Sequence, residues 1–312
     1  MSLPYRFNRL SALLIVAICV TSKATAQDQT GPTPRIVTAK IKLDDLSMII
    51  VPVNINGSGP YDFLLDTGSS KTIVDQKLAD ELALPRVTEK TLVGMLSSSK
   101  MSVVHIDSLS VAGATIRGGE IFSSDHTATV TGKVRGVLGE DFLRNFDLLI
   151  DYRRQNIHLE SPLGSMAAAA IGEHLPLQLI GELDGRPTSN RLVVSGLIPE
   201  LGNKPMSLLL DSGANSLVLF QGSLGPGTAQ QQPLQAGSFN KWISSSGATR
   251  PVRLLSLGSN SVPNLTVTAL DRRAEVDTDG LVPTSLFHSV FISHQGKFAI
   301  LNPSFPKDFA KP

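Results

Sequence analysis

Residues 61–70 read YDFLLDTGSS, and residues 206–216 read MSLLLDSGANS. Each is an apolar run that ends in Asp, a small hydroxyl residue and Gly. A run of this kind brings a carboxylate to the end of a buried β-element, and the glycine lets the chain turn closely around it. One Asp-Ser/Thr-Gly tripeptide arises by chance in roughly one in ten chains of this length. Two of them, each behind a Leu-Leu pair and with Asp66 and Asp211 145 residues apart, call for a common explanation.

Three further patterns recur at nearly the same offset and in the same order. LSSS at residues 96–99 returns as ISSS at 243–246, VVHIDSL at 103–109 as PVRLLSL at 251–257, and GVLG at 136–139 as GLVP at 280–283. The chain reads as an internal duplication. Short β-branched or alternating runs, at 48–55, 103–109, 146–151 and 156–159 and again at 192–194, 207–210, 252–257, 265–270 and 298–301, predict two similar β-rich units. Closing hairpins are expected to turn at Gln155-Asn156 and Gln295-Gly296. The helix candidate of the first unit is 75–84, with Asp75 as N-cap and Pro85 as its stop. Its counterpart at 221–237 is rich in Gly, Gln and Pro and reads as a loop. The expected organisation is a signal segment at 1–26, a first lobe at 27–160, a linker at 161–172 with its alanine run, and a second lobe at 173–312.

If the units pack about a pseudo-two-fold axis, Asp66 and Asp211 meet, and two close carboxylates share one proton. One then serves as base toward a water while the proton on the other polarises a carbonyl. That chemistry is peptide hydrolysis without a metal or other cofactor. It needs no covalent acyl intermediate, and neither a Gly-x-Ser-x-Gly elbow nor a His-Glu-x-x-His pair occurs in the sequence. The six histidines lack ligand spacing, so no metal site is expected, and no phosphate loop is present.

The phrases VPVNINGSGPYDFLLDTGSS and GVLGEDFLRNFDLLIDY resemble the pepsin and retropepsin aspartic proteases, and are most similar to bacterial retropepsin-like proteins. The resemblance extends over most of residues 36–301, more specifically in the first half than in the second. It implies a mainly β, two-lobed acid-protease fold with Asp66 and Asp211 as the catalytic pair. It further implies that Thr67 and Ser212 bond across the interface, that Gly68 and Gly213 keep the carboxylates coplanar, and that Ser69 bonds the outer oxygen of Asp66. Ala214 offers no such bond to Asp211. Two flaps are implied at 93–100 and 241–247, with Gly94, Ser97 and Ser98 in the first and Trp242, Ser244 and Ser245 in the second. The expected partner is an extended peptide or protein substrate, with a monomer sufficient for turnover. The sequence departs from the pattern at Ala214 and at Pro283, where a second glycine is expected. These departures leave open a peptide-binding protein without turnover, or an envelope scaffold.

Composition narrows the partners. With 28 Lys plus Arg against 27 Asp plus Glu, no basic excess exists to bind nucleic acid. Arg6 and Arg9 precede an apolar run at 10–20, and Ala24-Thr25-Ala26 follows as a small-x-small site. This is the form of a cleaved export signal rather than a stable membrane anchor, with cleavage expected after Ala26 and a periplasmic or extracellular product. Cleavage removes three bases and no acid, taking the net charge from +1 to −2, and removes the one cysteine, Cys19. The mature chain is then held by core burial and not by disulfides.

Overall fold

A computed structural model describes residues 36–306 except 45, 94–97, 126–133, 163, 184–185, 221–229, 239–240 and 271–277. The signal-like segment, flap residues Gly94 and Ser97, and the first part of the Gly- and Gln-rich stretch lie outside the described residues.

The fold is mainly β, in three sheets. The first eight-stranded sheet runs in the order Lys42–Leu43, Ile49–Ile55, Ser58–Leu65, Gly136–Leu138, Ile73–Asp75, Ala114–Ser124, Ser98–Val111, Arg86–Val93. The second runs Gln178–Leu183, Arg186–Gly196, Met206–Asp211, Gly280–Pro283, Leu217–Phe220, Asn260–Leu270, Lys241–Leu257, Gln230–Ser238. The two orders correspond strand for strand. In both, the strand that leads into the Asp tripeptide pairs parallel with the strand carrying the GVL or GLVP residues, and antiparallel pairing links that strand to the next.

These central strands are apolar on both faces because both faces are covered. Phe63, Leu65, Leu138, Leu208, Leu210 and Val282 are fully buried and belong to one continuous core. At about 25 cal/mol per Å² of apolar surface, each such side chain contributes roughly 1.5 to 3 kcal/mol, which is what fixes the strand ends that carry the aspartates.

The third sheet joins the halves. Its six strands lie in the order Val37–Lys40, Asn156–Glu160, Asp147–Asp151, Ser289–Ser293, Phe298–Leu301, Leu175–Pro176. The central pair is antiparallel and pivots on Leu149 opposite Phe291, so that Asp147 faces Ser293 and Asp151 faces Ser289. Residues 152 and 294, which follow these two strands, therefore occupy matching places in the two halves.

Two local readings change in the structure, and the linker carries a short helix. The helix spans Gln76–Glu81, shorter than the 75–84 expected. Asp75 sits at its start but its carboxylate turns to Arg135 Nε, 3.2 Å away, and Ala83 at φ +50° ends the turn before Pro85 is reached. The connector between the halves is ordered and packed. Ser165–Ala169 forms a short helix whose first amides are accepted by buried Glu160, and Met166 is buried with Phe291 and Ile300. Gln230–Ser238, expected as loop, is a strand paired with Lys241–Leu257. The cross-strand ladder supplies the order that its composition does not encode.

Candidate active site

The strand Ser58–Leu65 ends where Asp66 N–H donates to the Leu138 carbonyl at 3.0 Å, and in the other half Asp211 pairs with Pro283 at the same point of its sheet. The two tripeptides are thereby delivered to one place and interlock. The Thr67 amide donates to Ser212 Oγ at 3.0 Å, and the Ser212 amide to Thr67 Oγ1 at 2.9 Å. Each hydroxyl then donates into the opposite half, Thr67 Oγ1 to the Leu210 carbonyl at 2.9 Å and Ser212 Oγ to the Leu65 carbonyl at 2.8 Å. All four bonds are buried, so each carries close to the full penalty of an unmade bond.

The two glycines are required by close approach. A Cβ on Gly68 would stand 2.4 Å from Cγ of Asp211, and one on Gly213 would stand 2.6 Å from Cγ of Asp66. Each carboxylate is thus laid against the backbone of the other half. Asp66 Oδ1 accepts from Gly68 N at 2.8 Å and Ser69 N at 2.9 Å, and Asp211 Oδ1 accepts from Gly213 N at 2.7 Å, with the Ala214 amide also favouring the Asp211 carboxylate. The Ser69 hydroxyl donates to the Lys71 carbonyl at 2.8 Å, so Ser69 serves Asp66 through its backbone. Ala214 has no hydroxyl to lose in this role, since its amide is what favours the Asp211 carboxylate.

The two carboxyl groups sit against each other's loops, close enough that each acts on the other's ionisation. Burial pushes both above the ordinary carboxylate range, and the Asp66 charge drives Asp211, the more deeply buried of the two, well above it. The pair titrates as a unit and shares one proton between its two carboxyls.

Gly139 closes the loop behind Asp66, since a Cβ there would stand 2.5 Å from the Lys71 carbonyl. Pro283 fills the matching position in the second half and leads directly into the 3₁₀ turn Thr284–Leu286. Buried Thr284 bonds Tyr152 across the halves, Oγ1 to OH at 2.7 Å, and burial raises the Tyr152 phenol.

The described residues expected in the flaps fall on two long antiparallel strand pairs. Arg86–Val93 pairs with Ser98–Val111, with Ser98 opposite Val93. Gln230–Ser238 pairs with Lys241–Leu257, with Trp242 opposite Gly237, Ser244 opposite Gln235 and Ser245 opposite Leu234.

Residues 51–142 match a family model described as aspartyl protease. The matched segment takes in the Asp66 tripeptide and the Leu138-Gly139 element but stops well short of Asp211, and it covers under a third of the chain. No curated protein matches the chain. The assignment of Asp211 to the site therefore stands on geometry. Sequence reasoning passed over Glu140, Tyr152, Thr284 and His294 as site residues, since no motif in the sequence marks any of them.

Proposed function

We propose that the protein is an aspartic endopeptidase in which Asp66 and Asp211, one from each half of an internally duplicated chain, activate water against a peptide bond. The observation that carries this reading is the meeting of the two carboxyls at the ends of topologically matching strands, each held by the amides of its own loop. The similarity of residues 51–142 to aspartyl proteases supports it.

The chemistry follows from the unequal burial. Asp66, ionised, takes a proton from the water as it attacks the scissile carbonyl carbon. The proton on Asp211 is hydrogen-bonded to the carbonyl oxygen, which becomes the hydroxyl of a neutral tetrahedral diol. The proton gained by Asp66 passes to the amide nitrogen as the C–N bond breaks, and Asp211 recovers its own from the diol. The substrate is an extended peptide whose main chain pairs with the flap hairpins in strand fashion and whose apolar side chains flank the cut bond. Both carboxyls come from one chain, so a monomer suffices. The signal-like residues 1–26 support export to the periplasm or beyond.

The mature chain from Gln27, incubated with a diverse peptide library from acidic to neutral pH, is expected to give discrete cuts between apolar residues. Asp66→Asn and Asp211→Asn, which keep shape and remove one titrating group, are each expected to abolish them. An inert wild type that binds the same peptides as tightly as its variants would make the cleft a binding site and end the protease reading.

A further inference from the structure

Matching positions of the two halves carry matching contacts with different chemistry. Glu140 and Thr284 each follow the glycine or proline that closes the loop behind an aspartate. Tyr152 and His294 each follow one of the two central strands of the joining sheet. Each pair spans the halves: Tyr152 bonds Thr284 near Asp211, and His294 Nε2 lies 2.9 Å from Glu140 Oε2 near Asp66. The first pair is neutral and the second is ionisable.

The Glu140–His294 pair is deeply buried, with side chains 1% and 7% exposed. His294 Nδ1 lies 2.7 Å from the Phe146 carbonyl, an acceptor only, so Nδ1 carries a hydrogen and a further proton sits between Nε2 and Oε2. Glu140 Oε1 makes no hydrogen bond among the described residues, leaving His294 as its one close bonded counter-charge there. The backbone ties the pair to the site: Glu140 N donates to the Ser69 carbonyl at 2.8 Å, and the Ser69 amide holds Asp66 Oδ1. The other charged groups that face the pair are Asp141 and Arg144 on the Glu140 helix and Asp147 on the joining sheet. His294, but not Glu140, lines a cleft of about 390 Å³ together with Arg144 and Lys297.

We propose that Glu140 and His294 are positioning residues for the Asp66/Asp211 pair, a proton-sharing bridge between the halves that holds the Asp66 loop and sets the charge behind Asp66. This rests on reading Asp66 and Asp211 as the reacting pair. A Glu140 anion not matched by His294 disfavours ionised Asp66, the base, and the imidazolium relieves that effect.

The test uses carboxyl-¹³C aspartate and ring-labelled histidine in the mature protein, read by NMR across pH. In the wild type, the Asp66 resonance is expected to show a second inflection at the pH where His294 titrates. In Glu140→Gln, which keeps an acceptor for Nε2, the Asp66 titration is expected to move down by about half a unit or more. The acid limb of kcat/KM is expected to follow it with plateau kcat preserved within about threefold. The double variant Glu140→Thr/His294→Tyr, which copies the neutral pair of the other half, is expected to show the same shift. A folded variant that loses rate equally at every pH with an unmoved Asp66 titration reduces the pair to a structural brace and overturns the proposal. If neither variant folds, the absence of the second inflection in the wild type overturns it. Should the wild type cut no peptide, the protease reading fails, while the carboxyl titration still decides the pair.

Discussion

Gly68 and Gly213 each lie under the carboxylate of the opposite half, with no room for a methyl group. Gly68→Ala is expected to leave the fold intact at a cost of about 1 to 3 kcal/mol and to lower turnover by about a hundredfold, since it wedges Asp211 away from Asp66. Thermal melting together with peptide cleavage separates the two effects. Thr67 gives the complementary case, because its hydroxyl both accepts from Ser212 N and donates to the Leu210 carbonyl. Thr67→Val keeps the volume and strands both buried partners, at an expected cost of about 2 to 4 kcal/mol by urea unfolding, whereas Thr67→Ser keeps both bonds and most of the stability. At this scale the tripeptides were fully legible in the sequence. The reason for their glycines was not, because the clash is with an atom 145 or so residues away. The role of Ser69 was misjudged for a similar reason: whether a hydroxyl turns to a carboxylate or to the Lys71 carbonyl is decided by loop geometry that spacing does not encode.

The strands that deliver the aspartates were readable as elements because of their continuous apolar runs, as was DLLID in the joining sheet, while NIHLE was readable from its strict alternation. What escaped was order imposed by a partner. Gln230–Ser238 has neither alternation nor apolar residues enough to announce a strand, and it becomes one only against Lys241–Leu257. The helix in the connector escaped as well, since its alanine run does not show that buried Glu160 organises it from outside the helix. Glu160 Oε1 accepts from the Ser165 amide and hydroxyl, both at 2.9 Å, and Oε2 accepts from the Met166 amide at 2.6 Å. Glu160→Ala leaves these donors without their acceptor and is expected to cost about 2 kcal/mol in urea unfolding. It leaves the aspartate pair untouched, so activity per folded molecule is expected to match the wild type below the transition.

The fold as a whole buries an unusual set of groups that prefer to hold their protons. Asp66, Asp211 and Glu140 are raised by burial, and His294 is raised by Glu140 against its own burial. For each raised group the folded state binds protons more tightly than the unfolded chain, so the associated stability is complete below the unfolded value and is lost as pH rises through the folded one. His158, lowered by burial, has the opposite sign, and it acts as pH falls below the ordinary histidine value of about 6.5. Exposed Glu89, lowered by Lys100, is likewise confined to the acid side. Above about pH 6.5 His294, whose window opens there, acts without opposition from these, and the urea midpoint is expected to fall as pH rises from there through its folded value. Asp211→Asn removes a carboxyl whose ionisation the fold resists, so it is expected to be more stable than the wild type near pH 7 and to flatten the decline. Unfolding curves of the two proteins at matched pH check the sign directly. A wild type that grows more stable from pH 6.5 to 8 would contradict the assignment of these buried groups as proton holders. On the proposed mechanism the sign also links stability to use, since the proton that the fold retains on the aspartate pair is the one that polarises the peptide carbonyl.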